Sequence, residues 1–390
     1  MKLVIVGVGQ CGGRIADEFA RLQARAWEFR RLEIILDTFA VNTDTADMAS
    51  IRSIQNDYQH KILVGAAQTR GHGVAKISEL GAEIVKADSD KIIDAMRSTS
   101  RLYEADAFLV IAGTAGGTGG GGAPVLIHEL KNRFDKPVYG MLVLPFDHEE
   151  QTEERALYNS ALCLKATSSL ADAIFLVDNQ RYVRKDSSLK SNISGINRTI
   201  TEPFLNPLSA GEEKRGSNIG AKLLDAGDIM QTLEGWSAIS YGVVKIPFIP
   251  LPWDYSPDYR KRGTSAHRGI QAMDQALGEM SIDFDPEEAY NGLFLISAPH
   301  RELNMNLVKE LGDHLRNFAP QAVIRNGDYP RNKASIDVTV ILSRIACVPR
   351  VIQIYEKATS LPKMQQKRVE DARRKTDLTE EAGRDVPSLL

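Results

Sequence analysis

The chain has 390 residues, 43% hydrophobic and 25% charged, with 30 glycines and 16 prolines. Usage this close to the globular average excludes collagen-like, coiled-coil and disordered chains, and the length suits two or three domains, each with its own core. A formal net charge of −3, from 48 basic and 51 acidic residues, leaves no electrostatic footprint for nucleic acid.

Leu3-Val4-Ile5-Val6 predicts a buried first strand, followed by a helix from about Gly12 to Arg30. Phe39–Val41, Ile62–Val64, Phe108–Ile111, Val138–Leu144 and Ala173–Val177 predict five more strands, separated by helical sequence. None alternates polar with apolar residues, so the class is α/β with a parallel sheet covered on both faces. After about residue 230 the pattern changes to a smaller, separate α+β unit, with strands at Gly242–Ile246, Gly292–Ile296 and Ser335–Leu342 and helices at Gly269–Met280 and near Leu303–Phe318. From Leu361 the chain is charged and poor in apolar residues, as a solvated helix end running into a disordered tail would be.

The uncharged stretch Ala107–Ile127 has the length of a membrane span, but its glycine-filled centre is too poorly helical to be one. The apolar N-terminus is too short for a signal peptide. Cys11, Cys163 and Cys347 lie far apart with no Cys-x-x-Cys, which excludes a disulfide scaffold and suits a reducing cytoplasm. The expectation is a soluble cytoplasmic protein without direct membrane insertion.

Two glycine loops carry the chemistry. Gly7-Val8-Gly9-Gln10-Cys11-Gly12 joins the first strand to the first helix, where a Cβ would keep a pyrophosphate away from the helix N-terminus. Alone it suggests an NAD-dependent oxidoreductase, but such an enzyme wants an acidic residue about 20 positions on, ending the second strand, and Asp44 comes later than that. The second loop, Gly113-Thr114-Ala115-Gly116-Gly117-Thr118-Gly119-Gly120-Gly121-Gly122, follows a buried strand and leads into the helix near Ala123-Pro124. It predicts an anion nest aimed at a polyphosphate. No Gly-Lys dipeptide occurs, so backbone dipoles and a metal ion must meet the phosphate charge instead of a loop lysine. The seven histidines show no metal-ligand spacing, and no Ser-His-Asp or Cys-His set suggests a covalent nucleophile.

Together these loops resemble those of the tubulin/FtsZ superfamily, and the resemblance extends to about Ala358. The second loop is similar to the signature Gly-Gly-Gly-Thr-Gly-(Ser/Thr)-Gly, with Ala115 at its first glycine and Gly120 replacing the hydroxyl residue. Gly9-Gln10-Cys11-Gly12 resembles the tubulin form of the first loop, whereas Gly12-Gly13 and the overall length resemble FtsZ. This hybrid is most similar to the archaeal tubulin-like CetZ group, associated with cell shape.

The resemblance implies a Rossmann-like GTP-binding domain over residues 1–192 and a central helix with a catalytic loop over 193–228. A C-terminal α+β domain over 229–360 and a flexible tail over 361–390 complete it. Gly9, Gln10, Cys11, Gly12, Gly13 and Arg14, with Gly116, Gly117, Thr118, Gly119 and Gly120, are implied at the phosphates. Asp44 and the Ala66–Gly73 loop containing Gly71 are implied near the γ-phosphate; Arg70 and His72 there are equally readable as solvated loop residues. Glu150, Glu154 and Arg155 are alternative ribose contacts. Asn179 and Asn197 match the guanine-reading asparagines, whose amides both donate and accept. Ile193 stands where the superfamily has a stacking aromatic residue. Leu223–Ile229 resembles the loop that reaches the next protomer's nucleotide. Asp225 and Asp228 would there orient a water for in-line attack, with Leu223 in place of the FtsZ asparagine. Pro203 and Pro207 interrupt the implied central helix and should kink or shorten it.

The function expected is a cytoskeletal GTPase that binds GTP with Mg²⁺ and assembles head-to-tail with itself. Its active site would be complete only between subunits. Control of cell shape is favoured over a division ring. The oxidoreductase alternative leaves the second loop and Leu223–Ile229 unexplained, and a GTP-binding scaffold that never polymerises is a third reading. The apolar end Asp385–Leu390 is readable as an adaptor-docking peptide or as plain disorder.

Overall fold

A computed structural model describes residues 1–99, 101–182, 189–246 and 258–360, without the side chains of residues 154, 189–192 and 258–264. The tail 361–390, with its Asp385–Leu390 cluster, lies outside the described residues. The first half supplies β1 (Leu3–Val8), β2 (Ile35–Asn42), β3 (Lys61–Leu63), β4 (Ala107–Gly113), β5 (Val138–Leu144) and β6 (Ala173–Asp178), which pair in parallel. The second half supplies β7 (Gly235–Lys245), β8 (Ala289–Ala298), β9 (Val323–Pro330) and β10 (Ser335–Ile345). The sheet order is β3-β2-β1-β4-β5-β6-β7-β10-β8-β9. β7 joins the halves: it runs parallel to β6 over Ala173–Phe175 and antiparallel to β10 over most of its length. The second α+β unit therefore continues the first sheet.

Burial explains why the strands carry apolar runs without alternation. Val4, Val6 and Val8 of β1 enter one core with Val110, Leu142 and Leu176, whereas Leu3 and Ile5 enter the other with Ile111, Met141 and Val177. Successive side chains point to opposite faces, and helices cover both. β9 was not predicted. Its sequence, Val-Ile-Arg-Asn-Gly-Asp-Tyr-Pro, reads as a turn, yet parallel pairing along β8 holds it extended at the sheet edge.

The central helix is broken where the prolines predict. Leu189–Thr201 is α-helical, Glu202–Phe204 is a 3₁₀ turn containing Pro203, and Leu205–Ala210 resumes the α-helix. Proline lacks the N–H that would continue the ladder. Both guanidinium Nη atoms of Arg25 donate to Glu202, at 2.8 and 3.1 Å, and pin the break to the first helix. The chain then reaches a short helix, Ala226–Thr232. Ile229 and Leu233 line a small apolar space with Met1, Leu3, Leu109 and Tyr139, at the amino ends of β1, β4 and β5.

Candidate functional site

The opposite end of the sheet is where the glycine loops meet. β1 passes directly into the helix Gly9–Arg30, and β4 passes through Gly113–Gly116 into the helix Gly117–Arg133. Neither helix has a side-chain cap at its start: the cap positions are Val8 and Gly116. Their first N–H groups therefore lack intrahelical partners and favour an anion. The two ends touch. Gly9 has φ +72°, and a Cβ on it would come within 2.8 Å of the Gly119 nitrogen; one on Gly119 would lie 3.0 Å from the Val8 and Gly113 carbonyl oxygens. Glycine at these two positions lets two helix N-termini share one anion site.

That site is one end of a cavity at the carboxyl ends of β1, β4, β5 and β6. Gly9, Gln10, Cys11 and Arg14 line it from the first loop and Ala115, Gly116 and Gly119 from the second. The wall continues through Leu144–Phe146 and Glu149 to Asn179, Ile193 and Asn197. One end thus offers backbone donors and the other two side-chain amides between apolar surfaces. Such a cavity suits a molecule with polyphosphate at one end and a planar hydrogen-bonding ring at the other. The charged side chains on its wall are Arg14, Lys76 and Glu149. Burial, with a smaller contribution from Glu149 and opposed by Arg14, pushes the Cys11 thiol up to about 12, so it lines the site as a neutral group. Burial also raises the Asp178 carboxyl above the usual carboxylate range, against the Gln180 N–H it accepts and the nearby Arg350 guanidinium.

Of the residues singled out in the sequence, Gly9, Gln10, Cys11, Arg14, Gly116, Gly119, Asn179 and Asn197 line this one cavity, with Ile193 beside them. Others stand behind it. A Cβ on Gly12 would meet the Ile111 carbonyl oxygen at 2.0 Å, and one on Gly120 the Thr114 oxygen at 2.4 Å, so both keep the loop helices close to their neighbours. Gly13 faces Ile51, and Gly117 faces Val74. The Thr118 hydroxyl shares a buried 2.7 Å hydrogen bond with that of Thr43. Asp44 caps the helix Thr45–Ala49 by accepting from Ala46 and Asp47, and the Gly71 carbonyl accepts the Thr45 N–H. This loop reaches the cavity through Gln10, whose side-chain amide donates to Asp47 at 2.5 Å. Arg70 and His72 are exposed.

Of the ribose alternatives, Glu150 and Arg155 do not line this cavity. Glu150 is buried behind the wall, accepting from Arg350 at 2.5 Å and Lys357 at 2.9 Å. Arg155 lies 3.9 Å from Glu79, and the side chain of Glu154 is outside the described set. Among the described residues the acidic group on the wall is Glu149, which accepts the Phe146 N–H at 3.0 Å. Sequence reasoning missed it, although a glutamate three residues after the helix-cap position, here Phe146, is a capping signal. It also missed Lys76, which only the fold brings beside the glycine loop. Asp225 and Asp228 lie together at the far end of the sheet, at the start of Ala226–Thr232. Among the described residues, no group of three His, Cys, Asp or Glu is placed to hold a metal ion, and no helix is long and apolar enough to cross a membrane.

Comparison with known proteins gives two contiguous matches. Residues 2–185 match the Tubulin/FtsZ family GTPase domain, and residues 186–360 match the Tubulin-like CetZ C-terminal domain. Tubulin-like protein CetZ3 of Haloferax volcanii is 29% identical over 368 residues, covering 92% of each chain. Among solved structures, the GDP-bound monomer of CetZ1 from the same organism aligns with a TM-score of 0.77 at 27% identity, covering 93% of this chain and 100% of that one. The GTPγS-bound protofilament of CetZ2, also from Haloferax volcanii, aligns with a TM-score of 0.78 at 26% identity, covering 94% and 100%.

Proposed function

The chain belongs to the tubulin/FtsZ family of cytoskeletal GTPases, with a CetZ-type second half, and on that premise we propose that it hydrolyses GTP between head-to-tail subunits. The observation that carries this reading is the meeting of two uncapped helix N-termini at Gly9 and Gly119, in a cavity that ends at Asn179 and Asn197. The phosphates sit on the loop N–H groups, and Arg14 supplies positive charge. Asn179 and Asn197 pair with the guanine edge, and Ile193 and Phe146 supply apolar contact to the base and ribose. The GTPγS-bound protofilament of the CetZ2 relative supports both the ligand and the assembly.

The catalytic carboxylates come from the neighbour. Asp225 and Asp228 lie at the amino ends of the strands and the cavity at their carboxyl ends, so no carboxylate of this pair reaches the nucleotide of its own chain. In a head-to-tail contact the two faces meet, and the pair orients the attacking water. Magnesium would be held beside the phosphates by one or two protein oxygens and several waters. Asp47, which accepts from the cavity residue Gln10, would supply such an oxygen. When bound, the ion neutralises phosphate charge. The cellular role is control of cell shape rather than ring division, and the tail 361–390 docks an adaptor.

Calorimetric titration of the purified protein with GTP, ATP and NAD tests the ligand. Saturable binding of GTP well above ATP, with none of NAD, is expected; preferential NAD binding would overturn the assignment. Sedimentation with and without GTP tests assembly, and a chain that stays monomeric with GTP would be a non-polymerising scaffold. Imaging of tagged protein in growing cells separates cell shape from a division ring.

A further inference from the structure

Lys76 lines the cavity beside Ala115 and Gly116, in a backbone conformation that lysine seldom adopts. Ala75 and Lys76 are consecutive left-handed residues, with φ of 48° and 59°. Two non-glycine residues in a row in that region are strained, and such strain persists only where the surroundings enforce it. Here the enforcing group is Asn159, whose buried amide donates to the carbonyl oxygens of Lys76 at 2.9 Å and Ala115 at 3.0 Å. One side chain thus ties the strained segment to the glycine loop. Gly117 completes the contact, since a Cβ there would lie 3.0 Å from the Lys76 carbonyl carbon.

The side chain of Lys76 is less constrained. Its ammonium pairs with Glu153, and both side chains are half-exposed, at 48% and 38%. An ion pair this open is held weakly. Glu153 ends the short helix Asp147–Thr152, whose first turn contains the cavity residue Glu149, and its N–H donates to the Glu149 carbonyl at 2.9 Å.

We propose that Lys76 is a specificity-determining residue that leaves Glu153 to contact the terminal phosphate of a bound nucleoside triphosphate. It thereby separates triphosphate from diphosphate. This rests on the reading that the cavity binds a guanine nucleotide. An ammonium on a flexible four-carbon stem carries three donors and suits a phosphate as a mobile point charge. A terminal phosphate bears more charge than the Glu153 carboxylate and competes for the same donor. A diphosphate, anchored on the glycine loop, has no oxygen in that place and leaves the Lys76–Glu153 pair intact. The same exchange frees Glu153 at the end of the helix that carries Glu149, so the cavity wall senses the third phosphate.

Calorimetric titration of the full chain with GTPγS and with GDP tests this. Lys76→Gly removes the ammonium while relieving the left-handed strain, so the loop survives the substitution. It should lose about tenfold in GTPγS affinity, the effect of one charge-assisted hydrogen bond, with GDP changed less than about twofold. Lys76→Arg should restore part of the preference, and Glu153→Gln should tighten GTPγS alone. Equal loss for both nucleotides in Lys76→Gly, or no loss for either, would overturn the role of Lys76. Wild-type protein that binds neither nucleotide would instead overturn the reading on which it rests.

Discussion

The carboxylate of Asp225 accepts the backbone N–H of Asp228 at 2.8 Å, and Asp228 reaches back to the N–H of Asp225 at 3.5 Å. The two side chains that the family resemblance marks as catalytic therefore cap the start of Ala226–Thr232 and fix each other's position. Substitution has a structural and a chemical consequence, and the two are separable. Asp225→Ala should cost about 1 kcal/mol of stability through the lost cap, whereas Asp225→Asn, an equally good cap, should be near neutral by urea denaturation. Both should slow GTP turnover about a thousandfold, close to 4 kcal/mol of barrier, without weakening GTP binding.

The contact between Gly9 and Gly119 allows a second prediction. Gly9→Ala places a methyl group 2.8 Å from the Gly119 nitrogen at a φ of +72°. It should cost more than about 1–2 kcal/mol, the left-handed penalty alone, and abolish nucleotide binding. Gly195→Ala is the control, because nothing lies within 4 Å of a Cβ there and φ is not positive. That substitution should stabilise its helix by up to about 1 kcal/mol. Thermal denaturation of the two variants checks both directions.

The base end of the cavity is tested by Asn197 and Ile193. Asn197→Ala leaves the guanine edge unpaired and should weaken GTP by about 1–3 kcal/mol while changing ATP little. Ile193→Phe should tighten GTP binding by about 1–3 kcal/mol, the usual worth of stacking a base on an aromatic ring. Competition with a fluorescent guanine nucleotide measures both.

Much of this was legible because it depends on local chemistry. Runs such as Leu3–Val6 and Val138–Leu144 have no solvent face and are too short and β-branched for a helix, so they read as strands buried on both sides. Pro203 and Pro207 were readable as interrupting the central helix because proline lacks the N–H that continues the ladder, and the glycines of both loops were readable as phosphate-facing from their strand-to-helix positions. The choice between Glu149 and Glu150 was not legible. It is made by Arg350 and Lys357, some 200 residues away, which draw Glu150 behind the wall. Lys76 reaches the glycine loop through tertiary contacts, the hydrogen bonds of Asn159 and the close approach of Gly117. β9 was hidden because its turn-like residues are held extended by a neighbouring strand.

The buried Glu150 predicts a stability effect at a distance from the cavity. Its side chain is 4% exposed and pairs with Arg350 and Lys357. Arg350→Ala should destabilise the fold by about 3–5 kcal/mol, because it strips a partner from a buried charge. Combining it with Glu150→Gln should recover much of that loss, as equilibrium urea unfolding of the two variants would reveal.

Asp178, whose neighbour Asn179 faces the base, predicts a pH effect. Burial raises its folded-state pKa above the unfolded value, so the folded protein holds that proton more tightly. Its ionised form therefore opposes stability at neutral pH, and the opposition fades as pH falls through the raised value. Asp178→Asn keeps an acceptor for the Gln180 N–H and should remove this component, making the urea midpoint less different between about pH 4, the ordinary aspartate value, and about pH 7 than in the wild type.

The most direct measurement is GTP turnover per molecule against protein concentration, followed by mixing of two inactive variants. Gly116 suits the second variant better than Gly117. A Cβ on Gly116 has its nearest neighbour at 3.9 Å, whereas one on Gly117 would come within 2.5 Å of Val74. Gly116→Asp puts a carboxylate at the helix cap, where it satisfies the N–H groups that a phosphate needs. With Asp225→Asn supplying bound GTP and Gly116→Asp supplying intact carboxylates, turnover should return on mixing, and wild-type turnover per molecule should rise with concentration. Concentration-independent turnover with no recovery on mixing would place catalysis within one subunit and contradict an active site shared between two.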